Sequence, residues 1–449
     1  MLLKEAFRVG QTDQIAIVGA GGKTSTMFML ARELNSRAIL TTSTHLSIGQ
    51  ARLADDAHVV RNVPDILAIL SETPKQNNVV LFTGPPGEHG RLDSLDMETL
   101  NVLSQYCRQS ATPLLIEADG SKCRPLKAPG ENEPPIPNWV DKVIVVVGLS
   151  GVGKQATEDV IHRPEVFCKL AGINLMDRVT PAAIATVLTH PDGGLKNIPD
   201  RAHKCILLNQ ADNAHLEKAA EEIVGRVSGY FDTVATSKLL NDRQEPMLSP
   251  VKTRSEPIAG VVLAAGGASR YGTQKLLVDW FGKPLIQHVV EVVASSGLMP
   301  VVVVAGEEAQ EIRNIVVAPK VLIVDNPTWW EGQSTSVIQG LRAINAYTGG
   351  AIFFLGDQPA ISKTLIHHLI EVKKTDNHKI IAPAIKGKRV TPTLFDRDLF
   401  EQLLTITGDE GGRQLFDNYS PHLVDWDDRR LMEDIDTTDD YRRLRRLYE

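Results

Sequence analysis

The residues with chemical potential fall into two groups, and the more specific group lies past the midpoint of the 449-residue chain. The run Leu263-Ala264-Ala265-Gly266-Gly267-Ala268-Ser269-Arg270-Tyr271-Gly272-Thr273-Gln274-Lys275 follows directly on an apolar stretch. Its small residues let the backbone close on an anion so that successive N–H groups meet phosphate oxygens, and Arg270 and Lys275 add positive charge. That combination suits a nucleoside triphosphate; the alternative is a glycine-rich turn with no ligand. Further on, Ala351-Ile352-Phe353-Phe354-Leu355 runs into Gly356-Asp357-Gln358-Pro359. A carboxylate at the tip of a parallel strand stands where α/β sheets hold ligands, so Asp357 is the expected Mg2+ ligand, unless it only caps a turn. Asp436 is a second candidate metal ligand, or the cap of a helix beginning near Thr437.

The first half carries a second group. Gln14–Val18 leads into Gly19-Ala20-Gly21-Gly22-Lys23-Thr24-Ser25, which offers backbone N–H groups, a lysine and a hydroxyl at a helix start. Gly19, Gly21, Gly22, Lys23 and Thr24 are therefore candidate phosphate binders, although Ile17 occupies the first glycine position of the Walker A spacing. Gly148-Leu149-Ser150-Gly151-Val152-Gly153-Lys154 has that spacing, but Gln155 replaces the metal-binding hydroxyl residue and no amphipathic helix follows, so it reads as a chance match. Asn209-Gln210-Ala211-Asp212 resembles the Asn-Lys-x-Asp element that reads guanine, and a helix-capping Asp212 explains it equally well. Polar residues expected at further strand tips are Thr42, His45, Glu117, Asp119, Lys122, His162 and Arg163. Glu117 or Asp119 would serve magnesium or activate water, whereas His45 and His162 are either ligand contacts or hydrogen-bonded structural residues.

Short Val- and Ile-rich runs alternating with helix-length amphipathic stretches position these groups, which predicts α/β layers around parallel strands. Strands are expected at 14–18, 37–41, 78–82, 114–117, 143–147 and 204–208, then at 258–263, 300–304, 321–324, 351–355 and 379–382. The chain is too long for one ordinary core. The run 243–257, with Pro246, Pro250 and Pro257, reads as a linker between domains 1–242 and 258–449. Forty-eight basic against 55 acidic residues give a net charge of −7, so no bulk positive field gathers nucleic acid or anionic membrane. Four scattered cysteines form no CxxC pair and are expected to be buried thiols. With no secretory leader and no run of 18 apolar residues, a cytoplasmic protein is expected.

Residues 258–449 resemble the molybdenum cofactor nucleotidyltransferases, most closely the cytidylyltransferase branch called MocA. The resemblance rests on Leu263–Lys275, Gly356–Pro359 and Asp434-Ile435-Asp436-Thr437. It extends to Asn326-Pro327 with Trp330 and Gly332-Gln333-Ser334-Thr335-Ser336, and to Gly408-Asp409-Glu410-Gly411-Gly412-Arg413. Tyr271, in place of a methionine, and Val390-Thr391-Pro392, in place of a glycine-containing turn, depart from the pattern. The resemblance implies a Rossmann-like fold in which the terminal phosphate of molybdopterin cofactor attacks the α-phosphorus of CTP. Leu263, Ala264, Ala265, Gly266, Gly267, Ser269, Arg270 and Lys275 would hold the nucleotide, and Asn326, Trp330, Gly332, Gln333, Ser334 and Ser336 the substrate. Arg270, Lys275 and Asp357 would be catalytic, with Mg2+ on Asp357 and Asp436. Cytidine rather than guanosine follows from Ala265, where the guanylyltransferase branch usually has glycine. A guanylyltransferase, a sugar-phosphate nucleotidyltransferase and a cofactor-carrying scaffold are the alternatives.

Residues 1–240 resemble the YqeC family, accessory proteins of selenium-dependent molybdenum hydroxylases, which implies a P-loop-like parallel α/β domain and a hydroxylase apoenzyme as partner. This domain is expected to be either a nucleotide-dependent enzyme acting on a cofactor precursor or a module that hands its cargo onward.

Overall fold

The computed structural model describes all residues except 73–78, 88–90, 239–249, 267–274 and 345–346. The chain divides into two compact units, Met1–Ser255 and Glu256–Glu449.

The first unit is built on a nine-stranded sheet. Its strands are β1 (Gln14–Gly19), β2 (Ala38–Thr42), β3 (Asp56–Val59), β4 (Val79–Thr83), β5 (Leu114–Glu117), β6 (Lys142–Gly148), β7 (His203–Asn209), β8 (Thr233–Ser237) and β9 (Val251–Ser255). The order is β9-β8-β7-β6-β1-β5-β2-β4-β3, parallel throughout except for β9 at one edge. Side chains alternate across a strand, so β1 feeds two cores. Ile15 and Ile17 pack with Met27 and Leu30 of α1 (Lys23–Glu33). Ala16 and Val18 face the other way, toward the core that holds Leu103, Leu188 and Ile223.

The second unit carries β10 (Ile258–Ala264), β11 (Val301–Ala305), β12 (Val321–Asp325), β13 (Gly350–Leu355), β14 (Ile380–Ile385), β15 (Lys388–Arg389), β16 (Thr393–Asp396) and β17 (His422–Asp425). The order β12-β11-β10-β13 is parallel, whereas β16 inserts antiparallel between β13 and β14, so that β14 and its parallel neighbour β17 run in the same sense as β13. Val262 and Phe354 pack on Val289 and Leu365, while Val261 and Phe353 face Val337 of α2 (Gln333–Arg342).

All the expected strands form, but three expectations change. Residues 251–255 of the expected linker are the edge strand β9, whose Arg254 is buried and donates to the Glu5 carbonyl at 2.9 Å; flanking prolines obscure its short alternation, and 243–249 lie outside the described residues. The sheet of the second unit is mixed rather than wholly parallel. Cys107, Cys168 and Cys205 are buried as expected, but Cys123 is exposed, on a loop where it adopts a φ of +57°. Among the described residues no helix is long and apolar enough to cross a membrane.

Candidate functional site

In the second unit β10 and β13 pair with Leu263 opposite Leu355, so the segments leaving both strands open onto one edge of the sheet. A cleft of about 930 Å³ lies there, and its described walls include Ala265, Gly266, Lys275, Asp357, Trp330 and Gln333. The Lys275 ammonium donates to Asp357 Oδ2 at 2.6 Å and to Asp436 Oδ1 at 3.0 Å. Burial alone would lower the pKa of this lysine, but the charges and hydrogen bonds of the two carboxylates outweigh it and the net direction is upward. Lys275 is thus a fixed cation.

The second oxygen of Asp357, Oδ1, is buried without a hydrogen-bond partner. A bare carboxylate oxygen with a second carboxylate nearby is a donor set that fits a hard divalent cation. Asp436 does not cap the final helix, Thr438–Arg446; Thr437 does so by accepting the Asp440 N–H, which leaves the Asp436 carboxylate facing Lys275. Asp434, which sequence reasoning quoted without a role, accepts a hydrogen bond from Gln358. Its pKa is raised by burial, reinforced by the charges of Asp357 and Asp436.

The far wall depends on the start of α2. Gly332 has a φ of +117°, and a Cβ there would stand 2.6 Å from the Gly408 backbone, so only glycine lets the loop at Gly408–Asp409 dock on the helix. Ser334 completes the junction by donating its N–H to the Gly408 carbonyl at 3.0 Å. Asn326 is 1% exposed and gives its amide to Thr335 Oγ1 at 2.8 Å and Ser336 Oγ at 2.9 Å. Asn326 and Ser334 therefore hold the helix start, while Trp330, Gly332, Gln333 and Ser336 line the cleft. Trp330 is 67% exposed and meets Trp329 edge to face at 6.0 Å, making an aromatic wall. Trp329 and Asp409 also line the cleft and were not singled out from sequence, where an adjacent Trp-Trp pair was the available signal. Leu263, Ala264, Ala265 and Gly266 are in the cleft wall; Gly267, Ser269 and Arg270 lie outside the described residues.

In the first unit the tips of β1, β5 and β2 converge. Gly21 and Gly22 have φ of +85° and +127°, and Cβ atoms there would meet Gly148 at 2.4 Å and the Asn209 amide at 2.5 Å. The loop is seated on its neighbours: Asn209 donates to the Gly21 carbonyl at 2.8 Å and accepts from Ser237 at 3.1 Å. The side chain of Lys23 is only 3% exposed. Its ammonium donates to the Gly19 carbonyl at 2.9 Å and to Ser121 Oγ at 3.2 Å, and lies 3.3 Å from Asp119 and 3.8 Å from Glu117. Thr24 donates its hydroxyl to Glu117 at 2.8 Å. Burial raises the pKa of Glu117.

From Asp119 the charges continue outward. Lys127 contacts Asp119 at 2.8 Å and Glu133 at 2.7 Å, and Arg163 grips Glu133 through both nitrogens at 2.7 and 2.8 Å. These contacts outweigh the burial of Glu133 and hold its pKa down at about 2. Glu133 was not foreseen, because a proline-rich stretch gives no periodicity to read. His162 is neutral at neutral pH, its pKa lowered to about 4 by burial and then by the charges of Arg163 and Lys127. Thr42 fixes the β5 backbone through the Glu117 carbonyl at 3.0 Å. Two candidates stand apart: His45 pairs with Asp93 at 3.1 Å with both side chains exposed, and Lys122 points to solvent. The Gly148 turn becomes a 3-10 turn, Leu149–Gly151, rather than a helix start.

Two largely parallel sheets, each carrying a lysine and carboxylates at strand tips beside a glycine-containing loop, have the arrangement in which α/β folds hold phosphate-bearing ligands. The chain belongs to the YqeC family through its first unit, and its second unit carries a MobA-like NTP transferase domain. The family model described as "YqeC protein" matches residues 15–165, and that described as "MobA-like NTP transferase domain" matches residues 260–423. The chain is 32% identical over 206 residues to the "Uncharacterized protein YqeC" of Escherichia coli K12, covering 44% of this chain and 78% of that one. It is 30% identical over 199 residues to the "Nicotine blue oxidoreductase" of Paenarthrobacter nicotinovorans, covering 42% of this chain and 96% of that protein. A "Probable molybdenum cofactor guanylyltransferase" of Bacillus cereus strain Q1 is 29% identical over 133 residues, 29% of this chain and 64% of that one.

Proposed function

We propose that the second unit transfers CMP from CTP to the terminal phosphate of molybdopterin cofactor, releasing pyrophosphate, with Mg2+ held by Asp357 and Asp436. The observation that carries this reading is the Lys275 ammonium between two carboxylates in a cleft bounded by small-residue backbone. Two anions must meet in such a reaction, so the site has to neutralise and align them more than move a proton. Bound Mg2+ would draw phosphate oxygens together and offset their charge. Lys275, joined by Arg270, offsets charge growing on the leaving pyrophosphate. Trp329 and Trp330 give the base a surface to stack on.

The choice of CTP rests on Ala265, whose backbone packs against Gly306 so closely that a Cβ on Gly306 would come within 2.7 Å of its carbonyl. GTP is the second reading, favoured by relatives named as guanylyltransferases. A relative named as an oxidoreductase shows that kinship of fold does not by itself set the reaction. Pyrophosphate release measured with each nucleoside triphosphate, with and without reduced molybdenum cofactor, tests the reading. Preference for CTP supports it and preference for GTP moves the base assignment. Turnover only with a sugar phosphate overturns the pterin acceptor, and no pyrophosphate from any nucleotide overturns the reaction class in favour of a scaffold.

For the first unit we infer a magnesium–nucleotide site at Gly21–Thr24, with the metal between Thr24 and Glu117, acting in maturation of a molybdenum hydroxylase. The Thr24–Glu117 hydrogen bond supports this, because a hydroxyl at a helix start beside a strand-tip carboxylate is a pair that suits Mg2+. Equilibrium binding of Mg–ATP and Mg–GTP to the full chain and to Thr24→Val tests it; nucleotide-independent cofactor binding would favour a carrier.

A further inference from the structure

Next to the nucleotide cleft, and sharing Leu263, Gln333 and Leu355 with it, lies a second hollow of about 490 Å³. Lys275 and Asp357 line only the first; Arg389 and Arg413 line only the second. Arg389 leaves the β14–β15 hairpin and lies over the ring of Phe416, 4.2 Å from its centre. Phe416 in turn stacks on Phe395 at 6.2 Å. This support holds the guanidinium by its face and leaves its N–H donors available. Arg413 comes from the 3-10 turn Gly411–Leu415. Among the described residues neither arginine has a carboxylate within ion-pair distance. The positive charge of Arg413, added to burial, depresses the pKa of Arg389. Glu410 lines the same hollow without pairing with either guanidinium, and the two like charges repel across it, a repulsion that an anion held between them would relieve.

We propose that Arg389 and Arg413 form an anion subsite that receives a phosphate monoester on the acceptor, separate from the triphosphate grip at Lys275. The inference rests on the nucleotidyl-transfer reading of the adjoining cleft and specifies which residues would hold the acceptor's reacting phosphate. In the transfer, an acceptor phosphate oxygen forms a bond to the α-phosphorus while the bond from that phosphorus to the α–β bridging oxygen breaks. Pyrophosphate departs with the electron pair, and no proton or further reactant is required. The incoming group is a dianion, so cations are needed on its side as well as on the leaving side, and these two arginines are placed to supply them.

The test uses the full chain with Arg389→Gln, Arg413→Gln and Arg389→Lys. Nucleotide binding is measured by equilibrium dialysis with Mg–CTP, the acceptor KM with molybdopterin cofactor, and anion binding by calorimetric titration of inorganic phosphate into protein saturated with Mg–CTP. The expected result is an acceptor KM raised about tenfold or more for each Gln variant, partial recovery in Arg389→Lys, weakened phosphate binding, and CTP affinity within about twofold of the parent. Arg413→Gln alters an exposed side chain, so its reading does not depend on tolerance of a change at the half-buried Arg389. Phosphate binding that disappears in the Gln variants while the parent shows no transfer to the pterin supports the subsite and counts against the pterin acceptor. Unchanged acceptor KM and unchanged phosphate binding overturn the subsite alone. Equal losses in CTP affinity overturn it too, by assigning the arginines to the nucleotide.

Discussion

Replacing Lys275 by Gln is expected to tighten metal binding while abolishing transfer. In the parent protein the ammonium bonds Asp357 Oδ2 at 2.6 Å and Asp436 Oδ1 at 3.0 Å, so it holds a metal-facing oxygen of Asp436 and sets a like charge beside the bare Oδ1 of Asp357 where a cation would sit. A hydrogen bond between charged groups is worth about 1.5–3 kcal/mol when shielded, and about 0–1 kcal/mol when half-exposed, as Asp436 is. Competition from Lys275 therefore costs an incoming cation about 2–3 kcal/mol, and Lys275→Gln should lower the Mn2+ dissociation constant about 30- to 150-fold without nucleotide. The pKa of Lys275 is raised, so alkaline buffer does not imitate the substitution over the range in which the protein is handled. Titration followed by the electron paramagnetic resonance signal of free Mn2+ reads the affinity, and pyrophosphate release reads the chemistry, which should fall about 100-fold or more. Metal affinity that is unchanged or weaker in Lys275→Gln would refute the reasoning, because the lysine would then not be standing in the metal's place.

Asp357→Asn should leave the melting temperature nearly unchanged and lower metal-dependent pyrophosphate release about 100-fold or more; unchanged turnover would remove Asp357 from the mechanism. Gly332→Ala forces a Cβ to 2.6 Å from the Gly408 backbone at a φ of +117°, so a loss of about 2 kcal/mol and a raised nucleotide KM are expected, read by urea unfolding and initial rates. His162 has a folded pKa of about 4, below its ordinary value of 6.5, so the unfolded chain takes up the proton first and stability falls as pH drops from 6.5 to 4. The group is half-exposed, which limits the loss to about 1 kcal/mol; Gln at position 162 should flatten that part of the unfolding profile. Lys23→Met removes a buried cation from Glu117 and Asp119 and should cost about 3 kcal/mol at pH 7.5. Because Glu117 already has a raised pKa, it protonates readily in the folded state, so this deficit should shrink toward pH 5; a deficit constant with pH would count against the charge argument.

What the sequence revealed follows from the range of each signal. The buried strands of both sheets were legible because parallel strands covered on both faces are continuous apolar runs, and β1, β6, β10 and β13 each have four or more buried positions in succession. Asp357 and Lys275 were legible as candidates because strand tips in such sheets are predictable places for ligands. Their contact, across 82 residues, was not a local signal. Strand β9 was missed because prolines bracket it, and β16 because four residues carry no alternation that outweighs a turn. Glu133, Asn209 and Asn326 do their work by holding other residues at long range, and no local pattern distinguishes a side chain that supports a loop from one that contacts a ligand. His45 is the converse case: it sits beside a strand tip in sequence, but its pairing with Asp93 is outside the charge cluster.

The two units arrive at the same electrostatic arrangement from unrelated sequences. A phosphate-binding lysine in a partly closed site requires a counter-charge when no phosphate is present, since an unpaired buried ammonium would be costly. In both units the counter-charge comes from strand-tip carboxylates, Glu117 and Asp119 around Lys23, Asp357 and Asp436 around Lys275. Those are also the groups that would take a divalent cation. A cation held there would compete with the lysine, and a lysine so displaced would need an anion, which a nucleotide's phosphates would provide. Metal and nucleotide should therefore each bind poorly alone and well together, by the thermodynamic reciprocity of linked sites. The difference between the units is in access: Lys23 is almost wholly enclosed and bonded to its own loop, whereas Lys275 faces an open cleft. On that ground, if both units take phosphates as proposed, the first would have to open its loop before admitting one, while the second would need only an exchange of partners.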